Sequence, residues 1–77
     1  MEPKVRAEKD IQKLAKIMQE FEKFELDKKY PQILEWVRNY QKDARHFYER
    51  GDYFSAFGAA NYAFGIMDGI LILEEKK

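Results

Sequence analysis

With 77 residues the chain has room for one domain, and its fourteen basic residues offset its fourteen acidic ones. That balance speaks against a nucleic-acid binder, which carries a basic excess or stripe. The absence of cysteine removes disulfides and thiolate metal sites.

A domain this small buries only about 60% of its unfolded surface. Six phenylalanines, five tyrosines and one tryptophan are its main core material. The opening Met-Glu-Pro-Lys has no apolar stretch behind it, so no secretory leader is expected. A cytoplasmic location is the expectation, since the chain is rich in Lys and Glu and lacks cysteine.

A first amphipathic helix is expected over about residues 3–26. Pro3 suits its first turn. Ile11, Leu14, Met18 and Phe21 recur at helical spacing, and Ala7, Ile17 and Phe24 widen the stripe. Lys4, Arg6, Lys9, Lys13 and Lys16 alternate with Glu2, Glu8 and Asp10, which reads as a solvated face rather than a phosphate track.

Asp27-Lys28-Lys29-Tyr30 breaks the pattern, and Pro31 opens a second helix expected to about residue 50. Its stripe is Ile33, Val37, Tyr40, Ala44 and Phe47. Gly51 can take the left-handed conformation that ends a helix, and Asp52 can cap the next one.

The third helix, about residues 52–75, is apolar nearly all round, with Asp68 the one charge between Tyr53 and Leu73. Such a helix must be covered on most sides. Gly58, Gly65 and Gly69 lie inside it, and interior glycines cost up to about 1 kcal/mol each, so close packing against a neighbour is expected to compensate. The run from Tyr53 to Leu73 is long enough to cross a bilayer. Asn61, the glycines and Asp68 lower its hydropathy, and an acid at mid-span costs about 2.5–3.5 kcal/mol, so no membrane span is expected.

Two short connections imply antiparallel neighbours. The expected fold is all-α, a single three-helix up-and-down antiparallel bundle. The stretch from Ala44 to Ala56, with its Gly-Asp-Tyr turn, is similar to a tetratricopeptide hairpin. Only one such unit fits, and solenoids need about three or more.

Five residues are candidates for a polar, ligand-binding pocket: Tyr40, Asp43, Asn61, Tyr62 and Asp68. A carboxylate on or beside an apolar stripe must find donors or shift its pKa. The competing structural reading has the same residues paired within the fold, fixing helix register. Asp43 with His46 gives Asp-x-x-His, half of the Glu-x-x-His of di-iron bundles, but those need two such pairs and further carboxylates. With one histidine, no metal and no cofactor is expected. Ser55 is the only serine and has no histidine in reach, so no hydrolase triad forms. No glycine-rich phosphate loop follows a strand.

Tyr40 with Asp43, Gly51-Asp52 followed by Ala56, and Tyr62-Ala63-Phe64-Gly65-Ile66-Met67-Asp68 together resemble an archaeal family known as domain of unknown function 357. The resemblance implies a compact up-and-down bundle of archaeal origin and assigns no activity.

Two amphipathic helices cover two sides of the third. Part of Tyr62, Ile66, Gly69 and Leu73 is left to be covered by something else. The leading expectation is therefore a non-enzymatic interaction module that self-associates as a homodimer or binds a protein partner. The alternative is a small-molecule- or metal-binding protein using the polar residues around Asp43 and Asp68.

Overall fold

The computed structural model describes residues 2–77. Its helices are α1 (Pro3–Lys23), α2 (Leu26–Lys29), α3 (Pro31–Glu49) and α4 (Tyr53–Leu73), and the described residues contain no strand. All-α is therefore the fold class, with three long helices bundled and a one-turn helix between the first two.

The boundary of the first helix differs from the sequence expectation. α1 stops at Lys23, and Glu25 sits in the left-handed region at φ 58°. That kink turns the chain through the elbow α2, whose Leu26 is buried in the core. Pro31 then starts α3 as expected, and Gly51 ends it at φ 80°. The Asp52 N–H reaches back to the Phe47 carbonyl at 2.9 Å, a six-residue closure that satisfies the helix end. The Asp52 carboxylate accepts the Ser55 backbone N–H at 3.2 Å and caps α4. Ser55, through its hydroxyl and its backbone N–H, holds the Asp52 carboxyl below the usual carboxylate range.

α4 packs against both α1 and α3, which touch each other less. Ala56, Ala60 and Ala63 are fully buried there, as is Ala7 on α1, so these alanines are the small residues of the packed side of α4. Between α1 and α4 the register is parallel: Arg6 meets Phe57, Asp10 meets Asn61 and Lys13 meets Phe64. Leu14, Ile17 and Phe21 from α1, Val37 from α3, and Met67 and Leu71 from α4 fill the centre.

The elbow is also tied to the end of α4. Lys29 Nζ and the Tyr30 hydroxyl both donate to Glu74 Oε1 at 2.6 Å. Lys29 first and Tyr30 second hold the Glu74 carboxyl below its ordinary value of 4.5. A lowered carboxyl contributes stability above its ordinary pKa and loses it as pH falls through the lowered one. We therefore expect the clamp to open in acid below pH 4.5, and Glu74→Gln to abolish that part of the acid dependence. Thermal melts of the two chains between neutral pH and acid, read by circular dichroism, check this. Parallel profiles would rule out the clamp.

Candidate functional site

The five polar candidates sort into separate places. Tyr40 on α3 and Tyr62 on α4 come together, ring centroids 5.1 Å apart and tilted by 60°. Trp36 extends this cluster along α3, 6.1 Å from Tyr40. Asn61 instead faces the other way, into the α1–α4 seam, where its Nδ2 donates to Asp10 Oδ2 at 2.9 Å. Asp68 is partly buried and hydrogen-bonded by Lys77 Nζ. Asp43 is exposed on α3. The two acids thus have separate surroundings, and the tyrosine pair takes in neither.

Asp10 is the polar residue that sequence reasoning missed. It is the one buried charged residue among the described residues, at 8% exposure. Asn61 donates to it, and the Arg6 Nε lies 3.7 Å away, one turn back on α1. A buried carboxylate left alone would cost several kcal/mol, so the Asn61 hydrogen bond and the Arg6 charge are what make the position tenable. The signal was in the spacing: Ala7, Asp10, Leu14, Ile17 and Phe21 recur at three and four, which places Asp10 on the buried stripe. Chemically the arrangement is a satisfied register lock between α1 and α4.

A second polar pair joins α1 to α3, where the Tyr48 hydroxyl donates to Glu8 Oε1. That bond, with a smaller effect of burial, pushes the Tyr48 hydroxyl up to about 12. Tyr48 therefore stays protonated and serves as a strut. His46 is exposed, and among the described residues no three His, Cys, Asp or Glu side chains are grouped to hold a metal ion.

The surface that stands out is the uncovered side of α4. Phe54 is 69% exposed, Tyr62 54%, Ile72 59% and Leu73 76%. Ile66 is partly buried against the core, so it belongs to this face only at its edge. Gly58, Gly65 and Gly69 lie on the same side, and a Cβ built on any of them would meet no atom within 4 Å. The close packing expected of them within the chain is absent. The helix faces involved explain why: α1 lies against the side carrying Asn61 and Phe57, and α3 meets α4 where Tyr40 packs on the edge of Tyr62. The sector between these two contacts carries the glycines and no charge. α4 is also, by length and composition, the one described helix apolar enough to cross a membrane.

A protein-family profile matches residues 6–74. The chain belongs to the DUF357 family, proteins of unknown function. The match takes in all four helices, α1 included, whereas the resemblance seen in the motifs lay in the second half. No curated protein and no solved structure matches the chain. Membership of DUF357 therefore brings a family but no chemistry to assign to this face.

Proposed function

We propose that this DUF357 protein is a small non-enzymatic interaction module. It works by self-association through the uncovered face of α4, with a separate protein partner as the alternative occupant. The observation that carries the reading is the exposure of Phe54, Tyr62, Ile72 and Leu73 on one uncharged sector. Soluble monomers rarely leave a contiguous apolar patch of this kind bare. The polar groups support the same view, because Asn61 is bonded to Asp10 in the α1–α4 seam and Asp68 is paired with Lys77 at the surface.

Light scattering across a dilution series at two salt concentrations tests this. The expected mass is twice the 9.3 kDa of one chain or more. Higher salt leaves association unchanged or strengthens it, because the contact is apolar. Tyr62→Glu is expected to return the mass to one chain with helix content unchanged. A wild-type chain that stays monomeric at every concentration overturns self-association.

A further inference from the structure

The uncovered face of α4 has a symmetry of its own. Phe54, Gly58, Tyr62, Gly65, Gly69 and Leu73 follow one another at spacings of four, four, three, four and four. Read backwards, the spacing is the same. If two α4 helices are laid antiparallel and centred between Ala63 and Phe64, Phe54 falls opposite Leu73 of the second copy. Gly58 falls opposite Gly69, and Tyr62 opposite Gly65. Large residues then meet apolar ones at both ends, glycine meets glycine between, and each tyrosine lies over a glycine.

From this, and resting on the self-association reading, we infer that the partner of α4 is the same α4 face of a second copy of this chain, paired antiparallel in that register. A two-fold dimer needs a face complementary to itself, and this one is. Glycine on both sides lets the helix axes approach to about 8 Å, the close end of the usual range. Antiparallel placement also sets the two helix dipoles head to tail. The sector has no charge, so it suits another uncharged surface and penalises a charged one.

Area favours a second copy as well. Large side chains carry about 150–250 Å² each, so the exposed parts of Phe54, Tyr62, Ile72 and Leu73, with the glycine backbone and neighbouring Trp36, present roughly 700 Å². A standard stable interface takes about 800 Å² from each partner.

The lack of native cysteine makes the register directly testable. Phe54→Cys and Leu73→Cys occupy exposed positions, so neither change opens the core. The two variants are mixed, allowed to exchange and oxidised, with helix content checked by circular dichroism. A disulfide needs Cα atoms within about 7 Å. In the proposed pair the two copies of Phe54 stand about 28 Å apart along the helices, while Phe54 and Leu73 of opposite copies are neighbours.

The expected product is the mixed 54–73 disulfide, at least about tenfold over either like-with-like product. Like-with-like disulfides at both positions would indicate a parallel pair and overturn the register, leaving self-association standing. A dimer by light scattering whose cysteines stay free would place the contact on another face and overturn the inference. Monomers at every concentration would remove this inference and the self-association reading together. The same holds if α4 instead partitions into neutral phosphatidylcholine vesicles.

Discussion

Phe21→Ala should lose about 3–5 kcal/mol of stability, the largest single effect expected in this chain. Phe21 is fully buried and is the largest of the fully buried side chains. It sits where α1, the elbow and α3 meet, with its ring centroid 6.4 Å from that of Tyr30. Tyr30 in turn donates to Glu74, so a hole at Phe21 loosens the clamp on the end of α4 as well. A chain this short has a total stability of ~4–12 kcal/mol. The loss is therefore a large share of the whole, and the midpoint should fall by about 12 °C or more.

Phe54→Ala is the matched control. The same atoms are removed from an exposed position that touches Phe57 edge-on, and no more than about 1 kcal/mol should be lost. Both are read by thermal and urea melts at low protein concentration. Equal losses for the two phenylalanines would mean that the core lies elsewhere.

The contrast between these residues marks what could be read from the sequence. Periodicity placed Phe21 on the inner stripe of α1, and it is there. Gly51-Asp52 was legible as a stop and a start because each residue type has one local job: a left-handed φ for the glycine and a carboxylate cap for the aspartate. The elbow was less legible. Its left-handed residue is Glu25, a type that seldom adopts that conformation, so the local sequence carries no glycine to announce the turn.

On α4 the limit is of another kind. Where every face is apolar, hydrophobic periodicity has no contrast with which to choose the inner side. Phe54, Asn61 and Asp68 recur at helical spacing as regularly as Ala56, Ala60 and Met67 do. The neighbours decide between them. α1 and α3 close in on the alanines, Asn61 finds Asp10 at the seam, and Phe54 is left outside. Asp10 was hidden for the complementary reason, being a charge on a stripe otherwise read by its apolar members.

The glycines of α4 give the second large prediction, because fold and association should respond to them in opposite directions. Replacing Gly58, Gly65 and Gly69 together with alanine adds three methyl groups in a helix where nothing lies within 4 Å. Each change removes a helix-interior glycine, worth up to about 1 kcal/mol. The triple variant, melted at a concentration where the chain is monomeric, should therefore gain roughly 2–3 kcal/mol, since the gains nearly add for sites without shared contacts.

If the same glycines seat a second α4, the methyl groups push the helices apart where Gly58 faces Gly69 and where Tyr62 lies over Gly65. Dissociation should then strengthen at least about tenfold, or ~1.4 kcal/mol. The two measurements need separate concentrations, because association adds to apparent stability by mass action. A triple variant that is less stable as a monomer would mean that the glycines are packed within their own chain. One that is more stable and associates as well as the wild type would remove the glycine face as the point of contact.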